Sequence, residues 1–281
     1  MKEKQNQEAV KKDFFTAFPS ARDQRPETGP AGPLRRAVKD SQPLLLQGAM
    51  ELEIATLRNA MTDVEKRDVG SFTFWRGNLG SQPVVLSQTG IGTAAAAAAT
   101  ALGCERFQPA LVLNQGTAGG YTENLHPYDL VIGETWYNAN ARFRARYGKT
   151  YFLDLVALEG ESKEREFTGS HPFLHYSNQD LVAWLDRESL HYTRGRSVLG
   201  CIASGDQWND EPDAIAALQQ QTGALCEEME TAAAGEVAAR LGVPFGAVRV
   251  ISNNNRLGEP FDPDTAVALQ EWVSKAVKSA E

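Results

Sequence analysis

Cysteine is scarce: three occur in 281 residues, Cys104, Cys201 and Cys226. They are odd in number, far apart and outside any CxxC pattern, which excludes a disulfide scaffold. They read as buried reduced thiols in a cytosolic chain. Histidine is also scarce, and His126, His171, His175 and His191 make no HExxH; Pro172 spoils the helical turn that the His171–His175 spacing would need. No metal site and no cofactor is expected. No run of about 18 apolar residues is present, so no membrane span is expected. The N-terminus is charged and has no apolar stretch of the secretory kind. A basic excess is missing too: the formal net charge is -8, which argues against nucleic-acid partners, since phosphate neutralisation needs a basic face.

What is present is an ordinary globular composition, 42% hydrophobic and 23% charged, on a chain long enough to bury a sizeable core. Residues 1–42 stand apart. They carry nine Lys/Arg against six Asp/Glu, net +3, and Pro19, Pro26, Pro30 and Pro33 interrupt regular structure. They are expected to be a flexible or loosely docked extension, with one short amphipathic helix over 7–18 carrying Val10, Phe14 and Phe18.

From Pro43 the chain alternates strand, turn and helix. Strands are expected at 44–46, 84–86, 111–113, 130–132, 197–202, 225–226 and 245–251. An Ala-rich helix runs from Thr93 to Leu102 and is stopped by Gly103. Further helices follow Glu230, ended by Gly242, and Asp262-Pro263. This alternation predicts an α/β domain over 43–281 around one mixed or parallel sheet. Residues 143–178 interrupt it and are expected to form a hairpin or lid.

Polar and glycine-rich segments recur directly after strands, where α/β sheets bind ligands. Five can converge on one pocket: 48–53, 90–92, 114–120, 227–230 and 249–253. Each has a structural alternative. Glu53 can be a solvated residue of a first helical turn, Arg249 half of a buried ion pair, and Tyr176 and Phe261 simple core.

The ordered set Gly48-Ala49-Met50-Glu51-Leu52-Glu53, Thr89-Gly90-Ile91-Gly92, Asn114-Gln115-Gly116-Thr117-Ala118-Gly119-Gly120, Ser204-Gly205-Asp206, Glu228-Met229-Glu230 and Arg249-Val250-Ile251-Ser252-Asn253 resembles the motifs of the methylthioadenosine/S-adenosylhomocysteine nucleosidases of the purine nucleoside phosphorylase superfamily. The resemblance covers about 43–280. It implies a nucleoside phosphorylase-like fold, a single domain with a central mixed β-sheet flanked by helices. The implied reaction is hydrolysis of a purine nucleoside to free base and a ribose derivative by a cytoplasmic homodimer without a metal. Such a reaction passes through an oxocarbenium-like state, which a pair of carboxylates suits. By the resemblance, Glu53 is the base on the attacking water and Glu230 accepts from the ribose hydroxyls. Met50, Ile91, Thr117, Tyr176, Glu228, Met229, Arg249 and Phe261 line the substrate site, Gly119 leaves room for the base, and Asn253 faces the leaving purine.

Two departures bear on chemistry. Phosphorylases of this superfamily hold phosphate with arginines, and Asn114 stands where the hexameric bacterial enzymes carry one, so water is favoured over phosphate. The nucleosidases usually carry an aspartic acid where Asn253 stands. An amide can donate to N7 or O6 but is no acid, which leaves a 6-oxopurine substrate of the inosine or futalosine type open beside adenine. A non-catalytic purine-binding protein on the same fold is the further alternative. A dinucleotide-binding reading of Gly90-Ile91-Gly92 is disfavoured, because no acidic residue closes the next strand.

Overall fold

The computed structural model describes residues 42–144, 146–148, 150–155 and 173–279. The helix expected over 7–18, His171 and the middle of the 143–178 insertion lie outside the described residues.

The elements run β1 Leu44–Gly48, α1 Glu51–Ala60, β2 Thr62–Val69, β3 Phe72–Leu79, β4 Gln82–Gln88, α2 Thr93–Phe107, β5 Leu111–Gly120, β6 Leu130–Asn138, β7 Arg142–Arg144, β8 Thr150–Phe152, β9 His175–Tyr176, α3 Gln179–Ser189, β10 Ser197–Ser204, α4 Pro212–Thr222, β11 Ala224–Glu228, α5 Thr231–Arg240, β12 Phe245–Asn253 and α6 Asp264–Lys278. The main sheet has the order β11-β10-β6-β12-β5-β1-β4-β3-β2. It is mixed: β4, β1, β5 and β12 are parallel in turn, whereas β12 meets β6 antiparallel. An antiparallel pairing of Cys226 and Glu227 with Gly120 and Gly119 joins β11 back to β5 and closes five strands into a ring.

The two-residue period of a strand sends neighbouring side chains to opposite faces. Leu44, Leu46, Leu111, Leu113, Val248 and Val250 pack on one face with Ile54 and Leu57 of α1, Leu181 and Trp184 of α3, and Leu269, Trp272 and Val273 of α6. Leu45, Val112, Ala247 and Ile251 face the other way, against Cys104 of α2 and Ala232, Ala234 and Ala238 of α5. Arg249 shares the parity of Ala247 and Ile251, so the strand aims it toward α5.

The structure departs from the sequence reading in instructive places. Gly103 does not end α2; the helix continues to Phe107 and ends at Gln108 in the left-handed region. A Cβ on Gly103 would lie 2.7 Å from Leu45 Cδ2, so this glycine lets helix and strand approach closely. The Gly116–Gly120 stretch is not a loop but the end of a ten-residue strand. Strands β2 and β3 went unread. The residues of β2 are exposed almost throughout, so no alternation of apolar residues marks it. Helices α3 and α4 went unread as well. At the start of the 143–178 insertion, β7 pairs antiparallel with β8.

Candidate active site

Three parallel strands bring the motif segments together. The chain turns out of β1 at Gly48, where a Cβ would lie 2.8 Å from Ile54 Cγ2 and 2.9 Å from Gln115 Nε2. Gly48 O then accepts the Thr89 N–H at 2.9 Å and Ala49 O that of Gly90 at 3.1 Å, which ties the first motif to the second. Helix α1 starts at once and carries Glu53 in its first turn. The amide of the fully buried Gln270 reaches across from α6 to hold that turn. Its Nε2 donates to Leu52 O at 2.7 Å, and its Oε1 accepts from the Thr56 N–H at 2.9 Å.

Glu53 is buried, and four donors converge on its carboxylate. Oε2 accepts from the backbone N–H of Ala49 at 2.9 Å and of Met50 at 3.2 Å. Oε1 accepts from Thr117 N at 2.7 Å and Thr117 Oγ1 at 2.9 Å. Three of these donors are fixed main-chain groups, whereas the Thr117 hydroxyl can rotate away. Between Glu53 and Arg249 stands Gly116. A Cβ there would lie 2.7 Å from Glu53 Oε1 and 2.9 Å from Arg249 Nη1. The missing side chain is what lets these two groups share one space.

Arg249 is buried at 2% exposure. Its Nη2 donates to Thr231 Oγ1 at 2.7 Å, to Asn114 Oδ1 and to Glu228 Oε2. Burial alone would lower the guanidinium pKa, but Glu228, then Glu230 and Glu53, outweigh it and hold it above the ordinary arginine range. Glu228 is the structural partner. Besides Arg249 it accepts from the N–H groups of Glu230 and Thr231, both at 3.0 Å, and so closes the N-terminus of α5.

Glu230 comes from that N-terminus. Its Oε1 accepts from the Gly92 N–H at 2.8 Å, at the start of α2. Burial is the main cause that pushes its pKa up to about 8. The Glu228 and Glu53 charges add to this, while Arg249 and the Gly92 hydrogen bond oppose it. Glu53 and Glu230, 177 positions apart in the chain, thus act on each other and on one arginine. Asp206 completes the start of α2: its Oδ1 accepts from Thr93 N at 2.7 Å and its Oδ2 from Thr93 Oγ1 at 2.5 Å. Gly92 lies at φ 97°, and a Cβ there would come within 2.9 Å of Asp206 Oδ1.

β5 is buried through Gly116, and then Thr117 and Gly119 are half-buried, as are Met50 and Met229. Asn253 lies beyond a register shift between Ile251 and Asn253 that sets it opposite Gly119. A Cβ on Gly119 would lie 3.5 Å from Asn253 Nδ2. Ile91, Phe261 and Tyr176 are exposed. Ile91 precedes Gly92, and Phe261 precedes Asp262, whose N–H donates to Ser252 O at 2.8 Å. Tyr176 stands opposite Thr135 on the sheet.

Sequence reasoning assigned no role to several residues that build this site. Asn114 was read only as a missing arginine; it is buried, accepts from Arg249 and donates to Gln47 Oε1 at 3.3 Å. Asp206 was in a quoted motif without a task. A second polar cluster was missed outright. Tyr121 donates to Glu227 Oε2 at 2.7 Å, and Asn209 gives its N–H to Glu227 Oε1 at 2.9 Å and its Nδ2 to Oε2. Burial raises the Glu227 pKa, and the bonds from Tyr121 and Asn209 pull it back.

Comparison with known proteins places this geometry. Residues 43–280 match the family model of the phosphorylase superfamily. The 5′-methylthioadenosine/S-adenosylhomocysteine nucleosidase of Aeromonas salmonicida (strain A449) is 32% identical over 234 residues, covering 82% of this chain and 95% of that one. The crystal structure of the nucleosidase of the same name from Neisseria meningitidis, in complex with methylthio-immucillin-A, superposes with a TM-score of 0.70 at 26% identity, over 85% of this chain and 99% of the other. The one from Colwellia psychrerythraea 34H, in complex with adenine, gives 0.66 at 27% identity, over 84% and 94%. The chain belongs to the phosphorylase superfamily and, within it, to the family of the methylthioadenosine/S-adenosylhomocysteine nucleosidases.

Proposed function

We propose that the chain is a purine nucleosidase: it hydrolyses the N-glycosidic bond of a nucleoside of the methylthioadenosine/S-adenosylhomocysteine type, releasing the free base and a ribose derivative. The observation that carries this is the meeting of Glu53 and Arg249 across Gly116, where a Cβ would lie 2.7 Å from Glu53 Oε1 and 2.9 Å from Arg249 Nη1, with the Glu230 charge acting on the same arginine. The Glu53 carboxylate is held by three main-chain donors and by one hydroxyl that can turn away. When the Thr117 hydroxyl turns, an acceptor site on Glu53 opens to a water molecule. Glu53 takes the proton of that water as its oxygen bonds to the anomeric carbon; the carbon–nitrogen bond breaks with its electron pair going to the purine, which leaves as an anion hydrogen-bonded to Asn253 and takes its proton from solvent water. The negative field of the carboxylates favours the cationic sugar of the transition state. Glu230 holds the ribose hydroxyls.

Water rather than phosphate is the acceptor because, among the described residues, the site has no cation to spare. Arg249 is paired with Glu228, and a phosphate dianion brought beside Glu228 and Glu53 would meet like charge. Asn253, set against Gly119, faces the leaving purine and donates to it. That amide favours a second reading of the base alone, a 6-oxopurine in place of adenine.

Three further features belong to this reading. The exposed Ile91, next in the chain to Gly92, and the exposed Phe261 support a homodimer in which a partner chain covers them. Three free buried cysteines, Cys104 pushed up to about 11 and Cys201 to about 12 by burial, support a reducing, cytoplasmic location. Residues 1–42 precede the span matched by the family model and are proposed as an extension outside the catalytic domain. The deciding experiment is base release from methylthioadenosine, S-adenosylhomocysteine, adenosine, inosine and futalosine, each with and without phosphate. Release from none of them would leave a binding protein.

A further inference from the structure

Asn253 stands at the end of a chain of amides whose direction is set by a backbone atom. The oxygen and nitrogen of an Asn side chain are told apart by their partners. Asn209 O is a main-chain carbonyl and can only accept. Asn255 Nδ2 donates to it at 2.9 Å, which turns Asn255 Oδ1 toward Asn253. Asn253 must then present its own Nδ2, which donates to Asn255 Oδ1 at 2.9 Å. Its Oδ1 is left to Ser252, whose hydroxyl donates at 3.0 Å. Reversing Asn253 alone would set two amide oxygens against each other. Reversing both would set the Asn255 oxygen against the Asn209 carbonyl.

The anchor is firm. Asn209 is tied to Glu227 through its N–H at 2.9 Å and through its Nδ2, and Glu227 is tied to Tyr121 at 2.7 Å. The neighbouring Asn254 is buried and donates to Thr122 O and Leu125 O, each at 2.8 Å. Neither end of the chain can drift to let Asn253 turn over.

We propose that Asn255 is a specificity-determining positioning residue: by tying Asn253 to the main-chain carbonyl of Asn209, it fixes which end of the Asn253 amide meets the leaving base. The proposal rests on the reading that Asn253 faces the purine. An amide free to turn offers oxygen or nitrogen as the base demands and discriminates little between a 6-amino and a 6-oxo group. A locked amide leaves like groups facing each other in one of the two complexes, and such a mismatch at a buried polar site is strongly selective.

The test is the ratio of kcat/KM for 5′-methylthioadenosine and 5′-methylthioinosine, which differ only at position 6. The native chain should prefer one of them by about tenfold or more. Asn255→Ala, and Asn255→Leu, which keeps the volume of the amide, should bring the ratio within about threefold of one through a gain or smaller loss on the disfavoured base. Melting curves identify any variant that fails to fold, and the remaining one then carries the test. A native ratio near one, or a ratio unchanged in Asn255→Ala and Asn255→Leu, overturns the proposal. Asn253→Ala separates the two levels: if it leaves both rates unchanged, the placement of the purine against Asn253 is what fails.

Discussion

Replacing Glu53 by Gln changes one oxygen to an amide nitrogen, and the consequences can be counted. In the native site both carboxylate oxygens accept two hydrogen bonds each. A Gln amide has one oxygen, so its nitrogen must face one of the two donor pairs. The Ala49 and Met50 pair consists of two main-chain N–H groups that cannot reorient. The Thr117 pair includes a hydroxyl that can turn to accept. The amide therefore points its nitrogen at Thr117, and one half-buried N–H, that of Thr117, loses its acceptor. An unsatisfied buried donor costs about 1–3 kcal/mol, and two charge-assisted bonds become neutral ones. The sum is about 2–4 kcal/mol of stability, or a melting temperature lower by roughly 5–15 °C for a domain of this size. Catalysis loses its base, worth about 10²–10⁴-fold in kcat. Melting followed by circular dichroism reads the first effect, and base release at saturating nucleoside reads the second. Native stability together with native turnover in Glu53→Gln would refute both the bonding count and the role of the residue.

The pKa of Glu230, about 8 in the fold and 4.5 as its reference, makes stability depend on pH. A carboxyl raised on folding stabilises below the reference value, and that contribution is lost as pH rises through about 8. The melting temperature of Glu230→Gln relative to the native chain should therefore improve between pH 5 and pH 9; a constant difference would contradict the raised value. Gly116→Ala puts a methyl between Glu53 and Arg249, at 2.7 and 2.9 Å from their polar atoms, and kcat should fall by about 10²-fold or more as the base is displaced; kinetics within twofold of native would contradict the shared space. Arg249→Leu leaves Glu228 buried without its cation and should cost about 3–5 kcal/mol in denaturant unfolding; a loss below about 1 kcal/mol would show that the ion pair is not what holds this corner. Asn253→Asp sets a carboxyl against Asn255 Oδ1, which favours a protonated acid there; turnover should shift toward 6-amino purines, and an unshifted ratio of adenosine to inosine would count against the placement of the base.

Much of the layered fold was legible because the parallel strands are buried on both faces and read as short apolar runs. Leu44-Leu45-Leu46 and Leu111-Val112-Leu113 are such runs, and each feeds a polar segment. What stayed hidden had a physical reason in each case. Strand β2 is exposed, so nothing in its residues marks a buried face. Gly103 has the composition of a helix stop, yet its function is close packing on Leu45, which depends on a strand nearly 60 positions earlier in the chain. In the candidate site, Glu53 and Glu230 stand in the ordered motifs. Gln270 lies in an ordinary helical pattern, and only the fold shows that its amide holds the turn of Glu53. The Tyr121–Glu227–Asn209–Asn255 network joins four segments that no local spacing connects.

The central proposal is that water, not phosphate, attacks the anomeric carbon beside an arginine already paired with Glu228. Turnover of methylthioadenosine in ¹⁸O-labelled water, with and without phosphate, measures this directly. One labelled oxygen at the anomeric carbon of the released sugar, at a rate that phosphate does not change, is the predicted result. A sugar 1-phosphate, or base release that requires phosphate, would contradict it.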